Sequence, residues 1–202
     1  MAKLLHIDAS PRSDDRSKSK RLSRLFVEHY TQKNNGTDVT HRDVGKNPPP
    51  PVSEPWVAAA FGGEQNDAIE TSNELVDELL ASDVIAIGTP MYNFGMPAQL
   101  KAWFDQVVRI GRTFNFDPSK DNPYEGLATG KKAYVCVVYG GAGFGDGQPM
   151  ADYNFLDGHL RTLLGFIGIT DVEFVRVEKA NSGDEVFDGE FEQAKSRVQE
   201  LV

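Results

Sequence analysis

Three short stretches of this sequence combine residue types able to hold a ligand. In the first, Ser10, Ser13, Ser17 and Ser19 precede or open an amphipathic segment that carries Leu22, Leu25 and Phe26 at helical spacing. Hydroxyls and free amides at a helix amino terminus make an anion site favoured by the helix dipole, so a terminal phosphate fits there. No glycine-rich P-loop motif ending in Gly-Lys-Ser/Thr occurs, which argues against nucleoside triphosphate binding of that kind. Arg12, Arg16, Lys18 and Lys20 also read as solvated loop charges.

The second stretch, residues 88–96, places Met91, Tyr92, Asn93 and Phe94 where a connection is normally small and polar. A planar heterocycle would cover the apolar side chains, and Asn93 and backbone amides could bond its polar edge; the plain alternative is a loop packed on its own domain. The third, residues 140–147, is rich in glycine and follows an apolar run, but no alignment of it satisfies the dinucleotide fingerprint G-x-G-x-x-G. Glycines directly after a strand let backbone approach a ligand, and they also suit an ordinary loop.

Other chemistries find little support. His6, His29, His41 and His159 are scattered through different elements, and no nucleophile-elbow or zinc-protease motif is present. The single cysteine, Cys136, lies in an apolar run and reads as a packed core thiol. A net charge of −9 argues against a nucleic-acid ligand, because phosphate backbones attract basic surfaces. No apolar run is long enough for a membrane span and the amino terminus is too short for a signal peptide, so a cytoplasmic location is expected.

The elements that must position these stretches follow from hydrophobic periodicity. Apolar runs at residues 4–7, 84–87, 133–138 and 172–177, with a weaker one at 38–44, predict five strands. They alternate with helical stripes, including Leu75, Val76, Leu79 and Leu80, then Leu100, Trp103, Phe104, Val107 and Val108, and finally segments 153–166 and 187–201. The proline run at 48–51 is expected to be a stiff surface connection. Alternation of this kind predicts one α/β domain over residues 1–202, with a parallel sheet in the order 2-1-3-4-5 and helices on both faces. Ligands of such sheets gather beyond the carboxyl ends of the strands where the order reverses, between the first and third strands. The serine-rich and aromatic loops are the two that leave those strands.

Ser10 and Ser17-Lys18-Ser19, residues 90–94 with 99–105, and residues 164–169 together resemble the FMN-dependent NADH azoreductases, also described as NADH:quinone oxidoreductases. The resemblance spans almost the whole chain and implies a flavodoxin-like fold. It also implies FMN, one per subunit, with its phosphate on Ser10, Ser17, Lys18 and Ser19. By the same resemblance Met91, Tyr92, Asn93 and Phe94 line the isoalloxazine ring, and Val138, Tyr139, Gly140 and Gly141 approach its pyrimidine edge. NADH or NADPH would be the electron donor and quinones, azo compounds or nitroaromatics the acceptors, with no catalytic residue beyond the flavin and no metal.

The family also implies a homodimer, in which the stripe of Trp103, Phe104 and Val107 need not be covered within one subunit. Val138 and Tyr139 stand where the family commonly has Ser or Thr, then Arg. Leu163 and Phe116 replace an aromatic and a tyrosine, residues are added around 117–124, and the segment near 61–66 is shorter. The rival reading is a flavodoxin-like carrier that serves protein partners without its own nicotinamide oxidation. A receiver domain is a third reading; Asp8 partly suits it, but Gly88 stands after the third strand where an aspartate is needed.

Overall fold

The computed structural model describes residues 1–62 and 67–202. Strands β1 (Lys3–Asp8), β2 (Asp38–Asp43), β3 (Val84–Pro90), β6 (Lys132–Val138) and β7 (Asp171–Val177) form one sheet in the order β2-β1-β3-β6-β7, every neighbouring pair parallel. Counted within that sheet, the order is the predicted 2-1-3-4-5. The two remaining strands, β4 (Phe114–Phe116) and β5 (Tyr124–Gly126), pair with each other as a separate antiparallel ribbon.

Period-two alternation divides the buried side chains between the two faces of the sheet. Leu5, Ile7, Ile85, Ile87, Val135 and Val137 pack against α3 (Glu70–Ala81), α4 (Ala98–Val107) and α5 (Phe155–Phe166). Leu4, Val84, Ala86, Cys136 and Val175 face α1 (Lys18–Lys33) and α6 (Asp184–Leu201). Helix α1 also runs beside both β3 and β6, which sets its amino terminus at the carboxyl edge of the sheet.

Trp103, Phe104 and Val107 are fully covered within this one chain, inside the α3–α4–α5 layer. The expectation that this stripe waits for a second subunit is therefore corrected: the stripe is core, because α4 turns its apolar face inward onto the sheet.

Two elements had no counterpart in the sequence reading. Helix α2 (Glu54–Gly62) buries only Trp56, so it carries no apolar stripe to detect. Trp56 Nε1 donates to Gln106 Oε1 at 2.7 Å, and Gln106 Nε2 donates to the Pro50 carbonyl at 2.7 Å, which pins the proline connection to α4. The β4–β5 ribbon is made of three-residue strands too short for alternation to show, and its rings pack on Phe166 of α5. Residues 117–123 form the tip of that ribbon, and Tyr124 opens its return strand. Part of the shortened segment, residues 63–66, lies outside the described residues.

Cys136 is fully buried on β6, and burial pushes its thiol up, with a further push from the negative charge of Asp8. Since the thiolate is the nucleophile, the native protein is expected to be inert to a disulfide reagent at about pH 8 and to release one thiol per chain on unfolding. Rapid reaction of the folded protein would show instead that β6 opens.

Candidate flavin site

The amino terminus of α1 is built by a serine cap. Ser17 has extended backbone and its Oγ accepts from the Lys20 amide at 3.3 Å. Ser17 and Ser19 hydroxyls lie 3.4 Å apart, and Ser10 Oγ accepts from the Arg12 amide at 3.3 Å. All three serines are buried. The Lys18 and Ser19 amides have no helical partner by position and make no hydrogen bond among the described residues, so they stand ready for an acceptor.

The basic side chains of this loop are differently placed. Lys18 Nζ donates to the Ala180 carbonyl at 2.7 Å and sits 4.1 Å over the Phe187 ring, so its charge lies beside the serines but is turned toward α6. Lys20 is fully buried and bonds Asp43 Oδ2 at 2.6 Å. It holds the loop to β2 and is not free for a ligand.

Across the cleft, Tyr92 and Gly95 exchange backbone hydrogen bonds of 2.9 and 3.0 Å, closing a two-residue turn with Asn93 and Phe94 at its tip. Both tip residues have positive φ, 47° and 68°. That suits asparagine far better than phenylalanine, and strain of this sort persists only where the surroundings enforce it. The Phe94 carbonyl accepts from the Phe155 amide at 3.1 Å, tying the turn to the start of α5. Tyr92 and Phe94 remain 39 % and 43 % exposed, large apolar surfaces at the mouth of a cleft.

The glycine-rich loop forms the third side. The Gly140 and Gly141 carbonyls accept from Asn181 and Lys179, while their own amides have no partner among the described residues. Farther along, the Gly143 and Phe144 amides both donate to the Glu178 carboxylate at 2.9 Å, which anchors the loop.

These three sides enclose a cleft of about 220 Å³ lined by Ser10, Ser17, Lys18, Ser19, Met91, Tyr92, Val138 and Gly140, together with Arg12, Pro90, Ala180 and Asn181. Of the sequence-predicted residues, Asn93, Phe94 and Gly141 sit on the bordering turn and loop. Tyr139, between the lining residues Val138 and Gly140, is not itself in the lining, because its side chain turns to the other face of the sheet. Its ring stacks on Phe144 at 5.3 Å, and its hydroxyl donates to Asp157 Oδ1 at 2.6 Å. Burial, then the Asp157 carboxylate, push that hydroxyl well above the usual phenol range. A wider open groove of about 900 Å³ runs from Arg12 along α1 to α6, but its walls alternate acidic and basic side chains and carry no glycine loop.

A model of the flavodoxin-like fold matches residues 2–202. Over an alignment of 208 positions the chain is 42 % identical to an FMN-dependent NADH:quinone oxidoreductase 2 of Trichormus variabilis, covering 100 % of this chain and 99 % of that one. The chain belongs to the FMN-dependent NADH:quinone oxidoreductase family. A Pseudomonas aeruginosa relative called FMN-dependent NAD(P)H:quinone oxidoreductase 1 is 41 % identical, again over 100 % and 99 % of the two chains. The crystal structure of a Bacillus anthracis FMN-dependent NADH-azoreductase in complex with FMN superposes with a TM-score of 0.83 at 22 % identity, covering 98 % and 99 %, and supports the fold alone.

The donor set of this oxidoreductase fits FMN. Serine hydroxyls and unpaired helix amides suit a phosphate, and an apolar turn opposite unpaired glycine amides suits a flat ring with a polar edge. Three participants escaped the sequence reading. Ala180 and Asn181 follow β7 at the same sheet edge, so the rule that flagged the other loops would have flagged theirs. Gly45 is the third: its amide donates to the Asp8 carbonyl at 3.0 Å, and a Cβ there would stand 2.0 Å from the Ser10 carbonyl oxygen. No residue type signals such a close backbone approach in a sequence.

Proposed function

We propose that this family member binds FMN in the cleft at the β1/β3 switch point and transfers electrons from NADH or NADPH to small quinones, aromatic azo compounds and nitroaromatics. The observation that supports this most is the meeting, in one cleft, of a serine-capped helix terminus and an aromatic turn held at positive φ. Bound FMN supplies the two-electron chemistry. The protein supplies orientation: Ser10, Ser17 and Ser19, with the amides of Lys18 and Ser19, hold the phosphate. Met91, Tyr92, Asn93 and Phe94 flank the ring, and the Gly140 and Gly141 amides meet its pyrimidine edge beside Val138. Tyr139 acts from behind the site, fixing the end of β6 through Asp157.

We further propose a homodimer. Phe94, Tyr153 and Phe155 form an exposed aromatic group beside the cleft, with the Phe94 and Tyr153 rings 5.6 Å apart, and a second copy would cover it.

The purified protein reconstituted with FMN is expected to show two visible flavin bands that bleach on anaerobic addition of NADH or NADPH. Initial rates with a quinone are expected to give parallel double-reciprocal plots, because donor and acceptor use the site in turn. Bands that persist with both donors would identify a carrier without its own nicotinamide oxidation; intersecting plots would overturn the alternating order.

A further inference from the structure

Away from the flavin cleft, on the face of the sheet beneath α1, three potential metal ligands converge. His6 and Asp8 project from β1, and His41 is the register partner of His6 on the edge strand β2. His6 Nε2 lies 3.4 Å from Asp8 Oδ1 and His41 Nε2 lies 3.0 Å from Asp8 Oδ2. The imidazole rings stack with centroids 4.7 Å apart, and the three ligand atoms all fall within 4.8 Å of one another.

One of these atoms has no well-formed hydrogen bond within the protein. His6 is only 7 % exposed, and its Nε2 is buried without a hydrogen-bond partner; the 3.4 Å approach to Asp8 is close enough but misaligned for a bond. Buried ring nitrogens are normally well paired, and this one stands beside a carboxylate and a second imidazole, a set of atoms able to share a cation. We propose that His6, Asp8 and His41 bind one divalent transition-metal ion of the zinc type, with the fourth position open to water at the sheet edge.

The spacing suits such an ion. Tetrahedral zinc with bonds of about 2.1 Å separates its ligand atoms by roughly 3.4 Å. His6 and His41 approach different oxygens of Asp8, at 3.4 and 3.0 Å, so a small rotation of the carboxylate brings one oxygen between the two imidazoles. Two neutral imidazoles and one carboxylate form a donor set that favours zinc over magnesium or calcium, which take all-oxygen shells. Ser23 Oγ donates to Asp8 Oδ1 at 2.8 Å, giving the carboxylate the outer hydrogen bond that orients a metal ligand. Gly88, opposite Asp8 on β3, leaves that arrangement its room: a Cβ there would come within 2.6 Å of Asp8 Oδ1 and 2.4 Å of Ser23 Oγ. The nearby cation, Lys20, is neutralised by Asp43 at 2.6 Å.

The ion would act as a clip. Strand β2 is exposed over four of its six residues and contributes little to the core, so a bond from His41 to two ligands of β1 would hold this edge in register. Asp8 also stands two residues before Ser10, where β1 ends and the phosphate loop begins.

The test is titration of zinc into the tag-free, metal-stripped, FMN-loaded protein by calorimetry, alongside His41→Ala and His159→Ala. His41 is half-exposed on an edge strand, so its removal leaves the core intact. The expected result is one zinc per chain, affinity weakened at least about tenfold in His41→Ala and unchanged in His159→Ala. Zinc should also raise the melting temperature of the wild type and His159→Ala more than that of His41→Ala, and a chelator should reverse the rise. No zinc binding to the wild type, or equal affinity in His41→Ala, overturns the proposal. Melting of the metal-free variants reports folding independently of either result.

Discussion

Gly45→Ala is expected to unfold at a temperature lower by roughly 6–12 °C and to bind FMN at least about tenfold more weakly. A Cβ at Gly45 meets the Ser10 carbonyl oxygen at 2.0 Å, its carbon at 2.4 Å and the Pro11 nitrogen at 3.0 Å. All three are backbone atoms, so no side-chain rotation relieves the overlap and the chain itself must move. Overpacking of this kind costs about 1–3 kcal/mol, and a backbone obstacle places it near the upper end. In a domain of this size each kcal/mol corresponds to roughly 2–4 °C. The loop that yields carries Ser10, so the displacement should also disorganise the proposed phosphate site. Thermal denaturation of the FMN-free protein and a flavin titration separate the two effects. Wild-type behaviour in both would show that the loop recedes without loss and that Gly45 does not set its position.

The Ser17 series discriminates cap from ligand contact. Ser17→Ala removes the hydroxyl that accepts from the Lys20 amide, worth about 1 kcal/mol of helix stability. In the proposed site it would also remove a hydrogen bond to a charged phosphate, about 1.5–3 kcal/mol, so FMN affinity should fall on the order of 10–100-fold. Aspartate caps a helix as well as serine does, yet sets a negative charge against the phosphate. Ser17→Asp should therefore keep the melting temperature of the FMN-free protein while losing more flavin affinity than Ser17→Ala. If Ser17→Asp binds FMN as tightly as the wild type, the phosphate does not lie at this helix terminus.

Much of the architecture follows from local patterns. Alternation of short apolar runs with helical stripes defined the parallel sheet, because a strand buried on both faces and an amphipathic helix leave distinct periods. The order reversal then marked residues 9–20 and 88–96 as the loops to inspect, and both line or border the cleft. Elements without period were invisible for a physical reason. Helix α2 has a single buried side chain, and β4 and β5 are three residues each, so neither repeats a pattern often enough to be read.

What the sequence by itself determined, then, is the class of fold, the switch point, and the residue types gathered there: hydroxyls, an aromatic turn and glycines. Only the tertiary structure decided which of them face the cleft. Val138 lines it while its neighbour Tyr139 points into the core, because successive side chains at the end of β6 take opposite faces. Lys18 and Lys20, indistinguishable as loop cations, are separated by partners 162 and 23 residues away in the chain, the Ala180 carbonyl and the Asp43 carboxylate. The stripe of Trp103, Phe104 and Val107 became core rather than interface for the same reason, since burial depends on what folds back over a helix. His6 and His41, 35 residues apart and of no evident use in the sequence, meet only because parallel pairing of β1 with β2 sets them side by side.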